Sequence, residues 1–472
     1  MTYTGSGAAA LATSSCTGIF ARKNDRPNVL FIAVDDLRPQ LNCYGHTQMI
    51  SPNIDRLAAR GVQFNRAFCQ VPVCGASRAS LLTGIRPHRG HYSRFSAFHT
   101  RADEEVPGAV TLPEIFREHG YYTLGNGKVF HHQHDGRGSW SEPDWRPNGE
   151  HVQHYLSPES KSQRNPENNY GPSYECYEAA DNAYSDGKVA DKTISDLRRL
   201  AKMERPFFLA CGFYKPHLPF VAPKKYWDLY KREDIDLADN PFAPKDAPER
   251  SLHDFPELRG YAGIPKEGPL PDELARTLIH GYYACVSYAD AQVGRVLDEL
   301  KRLKLHDNTI VVLWGDHGWN LGEHGLWCKQ CNYQTSLRAP LIVSAPGYTE
   351  GVSTDALTEF VDIFPTLCDL SSIPVPDHIE GTGFVPLLQK PDRPWKKAVF
   401  SQYHAGLTIR TDRYAYTEYQ WRNGNVRARM LYDHRKDPRE NVNIAALPEN
   451  KDLVEKLSRL LNEGWRAVDV DQ

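Results

Sequence analysis

Asn28 to Val34 (NVLFIAV) is an unbroken apolar run that ends on Asp35-Asp36. A strand reads this way when both its faces are covered, as in a parallel sheet, and the acids then fall at its carboxyl end. Phe207 to Phe213 (FFLACGF) and Thr309 to Trp314 (TIVVLW) repeat the pattern, the second leading straight into Gly315-Asp316-His317. Leu341 to Ser344 is a shorter fourth run. Between these runs the period lengthens. Ser51 reads as an N-cap, with Pro52 at the first helical position and Gly61 as the stop. Leu274, Leu278, Cys285, Val293, Val296, Leu297, Leu300 and Leu303 lay an imperfect apolar stripe on a long helix from Asp272 to about Leu303. Asp362 to Leu370 reads as a further helix, capped by Asp362 with Pro365 in its first turn.

Strands alternating with helices predict an α/β fold, a large and mostly parallel sheet sandwiched by helices. Ligands of such sheets collect outside the carboxyl ends of the strands, where Asp35, Asp36 and Asp316 fall. Residues 135–175 and 232–271 are polar and rich in turn formers, and read as surface insertions that wall a cleft. Beyond about Pro391 the runs become short and alternating, at Leu407 to Ile409 and Tyr414 to Tyr419. These predict a smaller antiparallel sheet packed by a final helix near Leu453 to Trp465. The chain therefore divides into a leader segment (1–27), a main domain (28–391) and a C-terminal subdomain (392–472).

A chain of 472 residues can bury a large core. Its 56 Lys and Arg against 59 Asp and Glu leave a net charge of −3, which excludes the basic footprint of a general nucleic-acid binder. An anionic substrate must then be held by locally clustered Lys, Arg and His. No stretch after the leader is long and apolar enough to span a bilayer. The leader itself (GSGAAALATSSCTGIFA) is small, apolar and free of acids, like the back half of a Sec or twin-arginine export signal. It predicts a periplasmic or secreted protein. Thr-Ser-Ser before Cys16 makes a poor lipidation site. The ten cysteines form no regular framework, and the lone Cys328-x-x-Cys331 lacks the second ligand pair of a zinc knuckle, so both read as incidental, with a redox role as the alternative.

Chemistry concentrates at Cys74-Gly75-Ala76-Ser77-Arg78, continued by ASLLTG to Gly84. A nucleophile at a helix start lies in the N-terminal dipole, which favours its anionic form, and Arg78 follows one turn on. Asp35, Asp36, Asp316 and His317 offer three carboxylates and an imidazole at neighbouring strand ends. That set suits a hard divalent cation; its oxygens favour Ca²⁺, and His317 leaves Mg²⁺ or Mn²⁺ open. Lys128 and His131 (GKVFHH), His217 (KPHLPF) and Lys329 (GEHGLWCK) add basic groups. Taken singly, each is more commonly a surface or packing residue than a functional one.

The C-x-A-S-R…LTG string resembles the sulfatase signature, with Ala76 where Pro is usual. NVLFIAVDDLRPQLNCYG, SPNIDRLA, GNGKVFHH, FYKPHLPF, YYACVSYADAQVGR, GDHGWNLGEHGLWCK and IRTDRYAYTEY carry a resemblance, in order along nearly the whole chain, to the iduronate-2-sulfatase branch of that family. The resemblance implies an alkaline-phosphatase-like sheet and a sulfuric ester hydrolase whose Cys74 a formylglycine-generating maturation enzyme oxidises. The hydrated aldehyde is a gem-diol: one hydroxyl attacks sulfur, and the other later expels sulfate by regenerating the aldehyde. By the same resemblance Asp35, Asp36, Asp316, His317 and modified Cys74 bind the metal. Arg78 and Lys128 hold the nucleophile and sulfate, and His131 accepts a proton as sulfate leaves. His217 and Lys329 bind the sulfate and help protonate the departing sugar oxygen, a poor leaving group until its charge is stabilised.

The expected substrate is a sulfated oligosaccharide or polysaccharide, such as a 2-O-sulfated uronate of a glycosaminoglycan or an algal glycan. His404 and Arg410 are candidate contacts to a carboxylate or second sulfate; Arg422 and Arg427 read as exposed basic surface. Two alternatives share these residues. One is a formylglycine-dependent phosphonate monoester or phosphodiester hydrolase. The other is a catalytically silent, metal-dependent glycan-binding protein with unmodified Cys74.

Overall fold

The computed structural model of the chain describes residues 1–2, 26–87, 92, 106–147, 154–421 and 423–468. Residues 3–25 of the predicted leader, Cys16 included, and Arg422 lie outside the described residues. Seven strands form the central sheet: β1 (Asn28–Val34), β2 (Val62–Phe68), β3 (Tyr122–Gly127), β4 (Phe207–Phe213), β5 (Thr309–Gly315), β6 (Leu341–Ser344) and β7 (Val352–Glu359). Their order is β7-β2-β6-β5-β1-β4-β3. β1 lies at its heart, parallel to both neighbours, with Phe31 opposite Ala210 of β4 and Val312 of β5. β6 runs antiparallel to β2 and β5, and the other pairings are parallel.

The apolar runs are explained by burial on both faces. Leu30, Ile32 and Val34 of β1 enter one core layer, and Val29, Phe31 and Ala33 enter the other. The first layer packs against α1 (Pro52–Ala58), α4 (Ser185–Leu200) and α5 (Asp272–Arg302). The second packs against α2 (Cys74–Thr83), α3 (Leu112–Glu118) and α6 (Ile363–Leu370). Each fully buried Leu, Ile, Val or Phe contributes about 1.5–3 kcal/mol, so both layers hold the strand ends in place. On α5 the stripe that meets the sheet is Leu278, Tyr282, Cys285, Ala289, Val293, Val296 and Leu300, while Leu274, Leu297 and Leu303 are only partly buried.

Two predicted caps do other work. The Ser51 hydroxyl accepts from Asn42 N at 3.2 Å instead of capping α1. The first-turn N–H groups of Asn53 and Ile54 are satisfied by the Asp290 carboxylate of α5, at 3.0 and 2.7 Å. Asp362 precedes α6 without capping it: its carboxylate accepts from Glu359 N and Thr382 N and binds Lys396. A buried ion pair has displaced the cap.

The C-terminal sheet is antiparallel, with β8 (Ala398–Tyr403), β9 (Gly406–Thr411), β10 (Tyr414–Gln420) and β11 (Val426–Asp433) in sequential order. Helix α7 (Lys451–Glu463) covers it through Leu457 and Leu461 against Ile409, Tyr416 and Leu431. The sheet is tied back to the main body near Cys74: Gln402 N donates to Gln70 O at 2.8 Å, and Tyr403 packs on Val71, Val73 and Ala76. The two polar insertions meet each other, Ala262 N donating to Gly171 O at 2.8 Å beside the paired rings of Tyr170 and Tyr261. Among the described residues no helix is long and apolar enough to cross a membrane.

Candidate active site

The carboxyl ends of four neighbouring strands deliver the predicted residues to one place. Asp35 and Asp36 follow β1, Asp316 and His317 follow β5, Lys128 follows β3, and the turn after β4 carries His217. Cys74, the first residue of α2, is brought against them and is 3% exposed. Its Sγ lies 3.6 Å from Asp36 Oδ1 and 3.2 Å from His317 Nε2. Ligand atoms of Asp36, Cys74, Asp316 and His317 lie within 4.8 Å of one another, and so do those of Asp35, Asp36, Cys74 and His217.

Local backbone makes this convergence possible. Asp36 sits at φ 57, a left-handed conformation costing about 1–3 kcal/mol in a non-glycine residue. It is held there by Asp36 N donating to Asp316 Oδ1 at 2.9 Å and Tyr282 Oη donating to Asp36 O at 3.0 Å. At the β3–β4 edge a Cβ on Gly127 would stand 2.1 Å from Gly212 O, and one on Gly212 would strike the Lys128 carbonyl. The bare backbones let Lys128 N reach Gly212 O at 2.8 Å, which sends the lysine over the sheet end. Lys329 is flanked by two left-handed residues, Cys328 at φ 69 and Gln330 at φ 74.

A ring of cations answers the three buried carboxylates. Arg78 donates from Nε to Asp316 Oδ2 at 3.0 Å and from Nη2 to Asp35 Oδ1 at 3.1 Å. Its Nη1 is held by the Val129 carbonyl at 2.9 Å and by Lys128 O. Lys128 Nζ pairs with Asp35 Oδ2, and Lys329 Nζ with both Asp36 oxygens at 2.9 and 3.0 Å. Burial works to raise the Asp35 carboxyl, but Lys128 and Arg78 outweigh it and hold it well below its ordinary value. Asp36 goes the other way: burial pushes it well up, Lys329 opposes, and Asp35, Glu257 and Asp316 add their repulsion. Burial, with Asp35 and Asp316, likewise drives the Cys74 thiol well up against Lys128 and Lys329. The unmodified residue is a neutral thiol, not the thiolate that a helix N-terminus would favour.

The donor set fits a divalent cation, and His317 is the clearest test. Its Nδ1 lies 2.9 Å from Gly318 O and donates there, which leaves Nε2 as a lone pair. Burial keeps the ring's pKa low, against the pull of Asp316. That lone pair faces Asp36 Oδ1 at 3.3 Å and Asp316 Oδ1 at 3.7 Å. With the Cys74 Sγ 3.2 Å away it completes one cluster of ligand atoms, and a carbonyl fixing the other ring nitrogen is the usual support of a metal-binding histidine.

His131 and His217 flank this centre. Burial lowers the His131 pKa to about 2, with Lys128 and His132 adding, so the ring is neutral. His217 Nδ1 is 2.6 Å from Leu218 O, and its Nε2 stands 3.2 Å from Glu257 Oε1 and 3.7 Å from Asp36 Oδ2. Burial and the Lys329 charge push the His217 pKa well down, and Asp35 opposes. The turn is pinned from below by Lys215, whose buried Nζ donates to His217 O and Pro219 O, both at 2.7 Å. Asp186 accepts from the Tyr214 and Lys215 N–H groups at 2.8 Å.

Four residues here, Asp186 among them, were not singled out from the sequence. Glu257 Oε1 reaches Lys329 Nζ at 3.3 Å as well as His217. The Trp319 ring lies 4.9 Å under Lys329 Nζ, and Lys215 stands inside the KPHLPF string itself. Of the two candidate substrate contacts, His404 lies on the β8–β9 turn, within electrostatic reach of His253 beside Lys329. Arg410 is not brought to the centre: its hydrogen bonds go to Gln334, Thr411 and Tyr414, and burial pushes its pKa down to about 10. Arg427 stacks on exposed Trp421 at 4.2 Å. Cys328 and Cys331 are buried free thiols.

A family model described as Sulfatase matches residues 27–373, and one described as N-sulphoglucosamine sulphohydrolase, C-terminal, matches residues 322–466. The iduronate 2-sulfatase of Mus musculus is 35% identical over 397 residues, covering 76% of this chain and 71% of that protein. A sulfatase of Formosa agariphila is 33% identical over 466 residues, covering 94% and 88%. Among solved structures, one in complex with its substrate D-glucosamine-2-N,6-O-disulfate superposes with TM-score 0.75 at 23% identity, covering 93% of this chain and 97% of that one. The phosphonate monoester hydrolase of Silicibacter pomeroyi gives 0.74 at 22%, covering 94% and 96%. These last two likenesses are of fold.

Proposed function

The chain belongs to the sulfatase family and is a sulfuric ester hydrolase, and we propose that it removes sulfate from a glycan through a formylglycine made from Cys74. A 2-O-sulfated uronate is the substrate we favour, by analogy with the iduronate 2-sulfatase it resembles. The observation that carries the reading is the meeting of Cys74 with three buried carboxylates, the cations Arg78, Lys128 and Lys329, and the His217 imidazole at one end of the sheet. The buried thiol, pushed well above its ordinary pKa, is a poor nucleophile as it stands. This supports a requirement for oxidation by a maturation enzyme before turnover. The leader-like start supports action after export.

Asp35, Asp36, Asp316, His317 and the modified Cys74 would hold the metal, with Ca²⁺ favoured by the oxygen-rich set. Bound there, it would supply positive charge to a sulfate oxygen and to the nucleophile. The hydrated side chain of residue 74 offers one hydroxyl to sulfur, and the second, on losing its proton, re-forms the aldehyde and expels sulfate from the first. Arg78 and Lys128, already oriented by Asp35, Asp316 and two carbonyls, need little reorganisation to meet the charge on the transferring group. Neutral His131 has a lone pair for the proton released as sulfate departs. His217 and Lys329 stand together as donors to the bridging oxygen, where an alkoxide would otherwise form.

The test is sulfate release from a panel of defined sulfated oligosaccharides, using protein whose Cys74 oxidation has been verified by mass spectrometry. Aryl sulfate, aryl phosphonate and phosphodiester are assayed in parallel. Release from a 2-O-sulfated uronate above the other sugars is expected. Turnover of phosphonate or phosphate esters with no sulfate release from any sugar would favour the hydrolase on the neighbouring fold instead.

A further inference from the structure

Glu257 belongs to the insertion at 232–271, in a short helix (Pro256–Arg259), and its carboxylate enters the centre from outside the sheet. One oxygen, Oε1, stands 3.2 Å from His217 Nε2 and 3.3 Å from Lys329 Nζ. Each partner is otherwise committed. His217 spends Nδ1 on the Leu218 carbonyl at 2.6 Å, and Lys329 spends two donors on Asp36. Glu257 Oε1 therefore joins the imidazole Nε2 to the ammonium more closely than Asp36 Oδ2 does, which stands 3.7 Å from the first and 3.0 Å from the second.

The loop that carries it is braced for a fixed position. Arg259 donates to the carbonyls of Asp254 at 2.9 Å, Pro265 at 2.5 Å and Gly268 at 2.6 Å, and its guanidinium lies 4.1 Å over the Phe255 ring. Lys266 Nζ returns a hydrogen bond to Arg259 O at 2.5 Å. Phe255, just ahead of the helix, is buried at φ 39, strained for a bulky residue and kept there by these bonds and by Phe255 N to His253 Nδ1 at 2.9 Å. A surface loop with no positional duty would relax this residue.

We infer that Glu257 is a positioning residue for the leaving-group step, holding His217 and Lys329 side by side so that both donate to the bridging oxygen of the ester. The inference rests on the sulfatase reading above. Two side chains from different loops that must reach one oxygen keep a common aim only where a shared acceptor fixes both. A sugar alkoxide is a poor leaving group and needs both donors; a nitrophenolate needs neither.

The test compares Glu257→Gln, Glu257→Ala and Glu257→Asp with the parent protein, all with verified Cys74 oxidation, on the best sulfated sugar of the panel and on 4-nitrophenyl sulfate. Gln is isosteric and keeps the comparison valid if Ala does not fold. On the sugar, Gln and Ala lower kcat by about 10- to 100-fold with KM within about threefold, and Asp recovers part of the rate. On the aryl ester the loss stays under about threefold; where that ester is refused by the parent protein, the split between kcat and KM on the sugar decides. An effect confined to KM, an equal loss on both esters, or an unchanged kcat on the sugar beside an active parent would overturn this role alone. A parent protein that releases no sulfate while cleaving phosphonate esters would remove the sulfatase reading and this role with it.

Discussion

Two histidines approach Asp36, and replacing each with Ala should separate metal binding from leaving-group chemistry. His317 is fully buried, its Nε2 3.3 Å from Asp36 Oδ1 and 3.2 Å from Cys74 Sγ, between two carboxylates. His217 is farther from Asp36, at 3.7 Å, and nearer to Glu257, at 3.2 Å, with part of its side chain open to the cleft. We expect His317→Ala to weaken divalent-metal binding by more than about 10-fold, the scale on which even supporting residues of a metal site act. His217→Ala should keep the metal and lose rate. A positioned general acid is worth about 10²–10⁴-fold, or about 2.7–5.4 kcal/mol of barrier, and the upper half applies to a sugar leaving group. The assay is metal per chain by inductively coupled plasma spectrometry after dialysis, alongside kcat on the sulfated sugar. Loss of metal from His217→Ala to the extent seen in His317→Ala would refute the assignment, as would an unchanged rate.

Cys74→Ala should abolish sulfate release while circular dichroism and melting temperature stay near those of the parent, and retained turnover would remove the nucleophile from residue 74. Lys396→Met should cost about 3–5 kcal/mol in denaturant unfolding, because Lys396 Nζ lies buried at 3.0 Å from Glu359 and 2.7 Å from Asp362, leaving uncompensated charge behind. A loss under about 1 kcal/mol would mean that Arg86, which also binds Glu359, compensates on its own. Asp135 has a pKa raised by burial to about 7, against the His132 N–H that donates to it at 2.7 Å. A raised folded-state pKa gives stability that is full below the ordinary value near 3.8 and lost as pH climbs through about 7. Asp135→Asn, which mimics the protonated form, should therefore melt above the parent at pH 8 and level with it at pH 4. A difference that does not vary with pH would contradict the burial argument.

The strands that could be read from the sequence and those that could not differ in what covers them. β1, β4 and β5 fill the middle of the sheet and have a helical layer on each face, so their side chains are apolar without interruption and the runs stand out. β3 ends in Gly125-Asn126-Gly127, which reads as a turn, yet those glycines are there so that Trp140 and the backbone of β4 can approach. β7 is an edge strand with exposed and half-exposed positions (VSTDALTE), and β2 carries two such positions in its middle, so neither shows an unbroken apolar run. The same division runs through the site. Asp35, Asp36, Cys74, Asp316 and His317 sit at strand or helix ends whose pattern is legible, and their residue types declare their chemistry. Arg410 shows the limit of that reasoning, because an arginine in a strand of the C-terminal sheet has its own neighbours to satisfy. Lys215, Asp186 and Glu257 are the converse case: each acts through a carbonyl, an N–H or a cation that another part of the chain brings within about 3 Å, and no periodicity records such a distance. The insertion carrying Glu257 looks, as sequence, like any acidic and proline-rich surface loop. Only the Arg259 clamp and the left-handed Phe255 distinguish it, and both are properties of a folded loop held against its preference for a purpose at its tip.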